Sequence, residues 1–103
     1  MLSTFEVLSL PARRDIIEQL RGGPSSVGEL SGALGLSQPI TSKHLRVLRD
    51  AGFVTVRPDA QRRWYELRAE PLKELADWLD PYRWMWEDRL DRLGRHLDEE
   101  ASS

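Results

Sequence analysis

The sequence predicts a mainly α-helical fold with one small β-hairpin. Three observations carry that expectation: two capped helical stretches set across a glycine turn between residues 26 and 52, two β-rich runs within 53–68, and an apolar seam of helical period from 72 to 97. At 103 residues the chain has room for one modest core, burying roughly two thirds of the surface that the unfolded chain exposes. A single domain is therefore expected over 1–103, with a core over 1–68 and C-terminal helices over 69–100.

The first element is expected to be a short helix around Leu2–Ser9, with Leu2, Phe5, Val7 and Leu8 apolar. Pro11 opens a second helix to about Arg21, because proline in a first turn forfeits no hydrogen bond. Its Ile16, Ile17 and Leu20 form one stripe, and Gly22-Gly23-Pro24 ends it. Arg13 and Arg14, in its first turn, suit an intramolecular or surface pair better than a phosphate. Ser26 and Glu29 fit a capping box, so a third helix is expected to start at Val27, burying Val27, Leu30, Ala33 and Leu34. Gly35 supplies the left-handed stop that a side chain would resist.

Ser37 can cap a fourth helix, with Pro39 in its first turn and Gly52 placed to end it. At about 100° per residue, Thr41, Leu45 and Leu48 share the face to be buried. Thr41 brings a hydroxyl to that face, and it needs a partner such as the carbonyl one turn back. Pro39, Lys43, Arg46 and Asp50 point outward, with Ser42 and Arg49 on a flank and Gln38 near the tip. Such a helix either reads donor and acceptor patterns in the DNA major groove or simply presents a solvated basic face.

The next segment favours the first alternative. Phe53–Arg57 and Arg62–Leu67 are β-rich runs around the turn-forming Pro58-Asp59-Ala60-Gln61, which makes a hairpin. Two helices across a turn followed by a hairpin give a winged helix-turn-helix, with Arg57, Arg62 and Arg63 near the wing tip in reach of phosphates or the minor groove. Charge is distributed to match. The net charge of −2 divides into −1 over residues 1–36, +4 over 37–68 and −5 over 69–103, so the positive excess lies on the fourth helix and the wing.

In the C-terminal third, Leu72, Leu75, Leu79, Tyr82, Trp86, Leu90, Leu93 and Leu97 recur at spacings of 3, 4, 3, 4, 4, 3 and 4, a near-heptad seam with one stutter. One small domain cannot cover so long a seam, and the same helix in a second copy is its natural partner. A symmetric homodimer is expected. Pro81 interrupts the pattern, with Asp80 able to cap a new start, so either a kink or two abutting helices should result. The cluster of Trp78, Tyr82, Trp84, Met85 and Trp86 suits interface packing more than a pocket for an apolar effector.

Several classes are disfavoured. With no cysteine there is neither a disulfide framework nor a thiolate metal site. No basic stretch precedes an apolar run at the N-terminus, and no stretch approaches the length of a membrane span, so a soluble cytoplasmic protein is expected. There is no glycine-rich phosphate loop and no histidine set with a serine and an acid, so an enzyme is not expected, and no cofactor either.

The run from Phe5 through Leu67 resembles the ArsR/SmtB-type winged-helix regulators of bacteria and archaea. Phe5-Glu6-Val7-Leu8 with Pro11-Ala12-Arg13-Arg14 looks like the family's opening helix and P-x-R turn. Val27-Gly28-Glu29-Leu30 is similar to its "SVGELA" helix, Ser37-Gln38-Pro39 with Ser42-Lys43-His44-Leu45 to its recognition helix, and Ala51-Gly52-Phe53-Val54 with Tyr65-x-Leu67 to the ends of its wing. Ile40 and Thr41 depart from the usual Ala and Val, and Ala60-Gln61 from the Gly-Arg usual at the wing tip, which ranks Arg62 and Arg63 below the recognition helix as contacts.

The resemblance implies a homodimeric repressor that binds an inverted-repeat operator in double-stranded DNA. Gln38, Pro39, Ser42, Lys43, Arg46 and Arg49, then Arg57, Arg62 and Arg63, would contact the DNA, while Leu2 and Phe5 would join Leu75, Leu79, Tyr82, Trp86, Leu90, Leu93 and Leu97 in the dimer interface. The family's zinc-type site pairs Asp-x-His with His-x-x-Glu. His96-Leu97-Asp98-Glu99 fits the second half, but Arg83 and Met85 stand at the first, and an arginine there repels a cation, so no metal is expected. His44 is expected to support the recognition helix from its flank. Two alternatives stay open: a winged-helix module that binds protein without reading DNA, and a regulator switched by an apolar ligand at the dimer interface.

Overall fold

The computed structural model describes residues 3–102, without the side chains of 99, 101 and 102; Leu2, expected above in the dimer interface, lies outside the described residues. In order come α1 (Thr4–Leu8), α2 (Pro11–Leu20), α3 (Val27–Leu34), α4 (Gln38–Asp50), β1 (Val54–Asp59), β2 (Arg62–Leu67), α5 (Glu70–Leu79), a 3-10 turn (Asp80–Tyr82) and α6 (Arg83–Ser102). The chain divides into two compact units, Met1–Lys73 and Glu74–Ser103, with the division inside α5.

In the first unit, helix ends follow side-chain chemistry. α1 is shorter than expected because Ser3 caps it: the Glu6 N–H donates to Ser3 Oγ at 3.1 Å, and the Ser3 N–H donates back to the Glu6 carboxylate at 3.4 Å. At α3 only half of the expected box forms, the Glu29 N–H donating to Ser26 Oγ at 3.2 Å. Gly35, at φ 67, ends α3 in the left-handed region. The end of α4 turns on Gly52, at φ 82: its N–H donates to the Arg49 carbonyl at 3.0 Å, and that of Phe53 to the Leu48 carbonyl at 2.8 Å. This closure delivers Phe53, fully buried, into the core.

Val7, Ile16, Ile17, Leu20, Leu30, Leu45, Leu48, Phe53 and Val54 make that core. Of the residues expected to be buried on α3, Leu30 is in the core and Val27 and Leu34 pack half-buried against it, but Ala33 is exposed and Ser31 is buried instead. The exchange follows from Thr41. Its hydroxyl donates to the Ser37 carbonyl at 2.8 Å, as expected, and accepts from Ser31 Oγ at 3.0 Å, so the two buried hydroxyls satisfy each other across the α3–α4 junction.

The hairpin is longer and its turn tighter than expected. Pro58 and Asp59 belong to β1, in a register running from Val54↔Leu67 to Asp59↔Arg62, and only Ala60 and Gln61 form the link. A hairpin strand tolerates proline on its free edge, and a two-residue link asks for a positive φ, which Ala60 adopts at 54°. The loop before α3 also pairs with β2: the Ser25 N–H donates to the Tyr65 carbonyl at 3.1 Å and the Tyr65 N–H to the Ser25 carbonyl at 2.9 Å. That bridge fixes the wing to the core.

The second unit is helical. α5 ends at Leu79 and α6 starts at Arg83, with Pro81 in the 3-10 turn between them, which settles the choice between a kink and two abutting helices in favour of two. Proline has no N–H for the helical ladder, and its ring clashes with the carbonyl four residues back. None of the described residues from 74 to 100 is buried.

Candidate nucleic-acid interface

α4 is anchored from beneath. Thr41, Leu45 and Leu48 are fully buried, so the helix can rotate only by breaking the core. Its opposite side, Gln38, Pro39, Ser42, Lys43, Arg46, Arg49 and Asp50, is exposed throughout. The Gln38 amide rests against the first turn of α3, its nitrogen 3.7 Å from where a Cβ on Gly28 would stand.

Strand register separates the three wing arginines. Residues directly opposite in an antiparallel pair share a face, so Arg63, opposite Pro58, lies on the side of Val54, Val56 and Tyr65. Arg57 and Arg62 lie on the other. Arg63 accordingly joins α4 in lining a groove of about 500 Å³ with Ser42, Arg46, Arg49, Asp50 and Tyr65. Arg62, with Arg63 and Gln61, borders a second groove of about 570 Å³ against Ser26–Glu29 at the start of α3. Arg57 is engaged within the wing, 3.2 Å from the Glu66 carboxylate.

Charge use divides the molecule. Arg21, Arg68, Arg83 and Arg92 pair with carboxylates at 2.9–3.5 Å. Among the described residues, Lys43, Arg46, Arg49, Arg62 and Arg63 have no such partner. Outside any ion pair among the described residues, these cations remain available to a surface of phosphates, with Asp50 the one carboxylate beside them in the groove.

Arg13 and Arg14 make intramolecular hydrogen bonds, Arg13 half-buried and Arg14 at the surface. Arg14 donates to the Leu8 carbonyl at 2.6 Å, and Arg13 to the Val7 carbonyl at 3.4 Å, satisfying carbonyls left open at the end of α1. The Arg13 Nε–H also donates to His44 Nδ1 at 3.4 Å, tying α2 to the flank of α4. Burial, and after it the Arg13 charge, hold the His44 pKa below its ordinary 6.5. His96 lies far along α6 and pairs with Glu100 at 3.0 Å.

The aromatic cluster expected in the C-terminal unit is not one body. Trp78 and Tyr82 are in ring contact, centroids 5.6 Å apart and tilted by 44°. At about 100° per residue along α6, Trp84 projects to the side opposite Trp86, Leu90, Leu93 and Leu97. Phe5 and the seam residues Leu79, Tyr82, Trp86, Leu90, Leu93 and Leu97 are exposed in the single chain, while Leu75 is half-buried. Among the described residues no helix is long and apolar enough to cross a membrane.

A helix-turn-helix with a two-stranded wing, its recognition helix locked to the core and cationic on the outside, is a nucleic-acid-binding architecture. Residues 11–56 match the family described as bacterial regulatory protein, arsR family. The HTH-type transcriptional regulator Rv2034 of Mycobacterium tuberculosis is 38% identical over 97 residues, covering 94% of this chain and 88% of that protein. The chain belongs to the arsR family of bacterial transcriptional regulators. The transcriptional repressor SdpR of Bacillus subtilis is 29% identical over 79 residues, covering 77% of this chain and 88% of its own. A solved structure described as a possible transcriptional regulator for arsenical resistance superposes with a TM-score of 0.73 at 38% identity, covering 90% of this chain and 94% of that one.

Proposed function

We propose that this protein is a cytoplasmic, homodimeric repressor that binds an inverted-repeat operator in double-stranded DNA and has no catalytic role. The observation that carries the proposal is the cationic groove where Arg46 and Arg49 of α4 meet Arg63 of the wing, with Lys43 exposed on the same helix, whose other side is core. The names of the relatives, a repressor among them, support the same activity.

In this account Ser42, Lys43 and Arg46 face base edges, with Gln38 and Pro39 at the entering tip. Arg49, Arg62 and Arg63 hold phosphates, and Arg57 is the weakest contact because Glu66 competes for it. Two such helices, paired through the C-terminal seam and Phe5, would enter successive major grooves about 34–36 Å apart. Bound there, the dimer blocks access of RNA polymerase to a promoter.

Lys43→Ala and Arg46→Ala test the assignment in a gel-shift titration against duplexes enriched from genomic fragments. Each should weaken binding by about 1–3 kcal/mol if it contacts a base edge. Unchanged affinity in both variants would remove that face from the site. If the wild-type protein retains no DNA even at low salt, the chain is a protein-binding module instead.

A further inference from the structure

Ile40 is the one apolar side chain in the first turn of α4 apart from Pro39, and it is 48% exposed. The core does not need it: Thr41 takes the buried position beside it, and the first-turn N–H that Ser37 caps at 3.3 Å is the backbone group of Ile40, not its side chain. At about 100° per residue, Ile40 lies about 60° from Lys43 and roughly 100° away from the buried stripe. It therefore belongs to the outward half of the helix, at the end where recognition helices meet base edges.

From this placement we infer that Ile40 is a specificity-determining residue that reads the C5-methyl group of a thymine in each operator half-site. The inference rests on the DNA-binding reading and adds a residue to it. Its logic is chemical. An isoleucine side chain offers no donor and no acceptor, and the one apolar group that any base pair shows in the major groove is the thymine methyl. Against guanine, cytosine or adenine, the same side chain would strip water from a polar edge and return no hydrogen bond. Ile40 thus selects by attraction to one base and by penalty against the others. Lys43, one turn further on, then meets the neighbouring position.

The test uses the full chain and short duplexes enriched by the wild-type protein from a random-sequence pool. Each thymine is replaced singly by deoxyuridine, which removes only the methyl group. For the wild type, one replacement per half-site should weaken binding about fourfold, the factor expected from uncovering one methyl-sized apolar group. Ile40→Ala should bind the thymine and uracil duplexes equally at that position and keep the wild-type profile elsewhere, while Ile40→Val should retain the preference. An Ile40→Ala profile identical to the wild type, or a wild type indifferent to every replacement, would overturn the inference and leave DNA binding standing. Failure of the wild type to enrich any duplex would overturn both.

Discussion

The two units of this chain solve the problem of apolar surface in opposite ways. In the first, residues such as Val7, Ile16, Leu45, Leu48 and Phe53 are wholly enclosed, and the buried hydroxyls of Ser31 and Thr41 are hydrogen-bonded to each other. In the second, Trp86, Leu90, Leu93 and Leu97 are 40%, 63%, 54% and 55% exposed in the single chain. One unit is complete by itself and carries the basic face. The other leaves an apolar seam exposed, which the homodimer proposed above would cover with a second copy.

Breaking the seam should produce the largest effect. Leu90→Asp combined with Leu93→Asp should turn a dimer into a monomer in sedimentation and lower operator affinity about 100-fold or more, because the second half-site no longer binds intramolecularly. Circular dichroism should show the helices of the first unit retained. If the variant stays dimeric, the seam is not the interface.

Next in size is Thr41→Val, which keeps the shape and deletes the hydroxyl. Ser31 then loses its acceptor inside the core, at a cost of about 1–3 kcal/mol in urea denaturation. A loss near zero would show that the α3–α4 hydroxyl pair does not hold the recognition helix in place.

A smaller effect is expected from pH. The His44 pKa lies below its unfolded value of 6.5, so the unfolded chain binds the proton more readily. The stabilising contribution is complete above 6.5 and is lost as pH falls toward the folded value. Melting temperatures measured from pH 7.5 to 5 should therefore decline more steeply for the wild type than for His44→Asn; parallel curves would sever the Arg13–His44 link from stability.

The smallest change concerns Ala60, whose φ of 54° a glycine adopts without strain. Ala60→Gly should stabilise the first unit by under about 1 kcal/mol, and a loss of that size would mean that the wing turn prefers alanine.

The two units also differ in how far their sequences could be read. Features set by neighbours in the chain were plain: the Ser26 and Ser37 caps, the stops at Gly35 and Gly52, the buried face of α4, and the break at Pro81. Features set by distant partners were not. Ser31 displaces Ala33 from the core because Thr41 lies across from it, and Ser25 joins β2 through backbone groups that carry no residue signature. In the interface, the outward residues of α4 follow from helical period alone. Arg57, Arg62 and Arg63 looked equivalent because faces are assigned by register, and register depended on a two-residue link that alanine, unlike glycine, does not announce. Trp84 and Trp86 were grouped by composition, although their spacing puts them on opposite sides of α6.

The most direct measurement is the number of chains on one operator-length duplex, read by sedimentation at micromolar protein and moderate salt. Two chains per duplex, bound together with no stable one-chain species, are predicted. A single chain per duplex at saturation, bound as tightly as the full complex, would contradict the account.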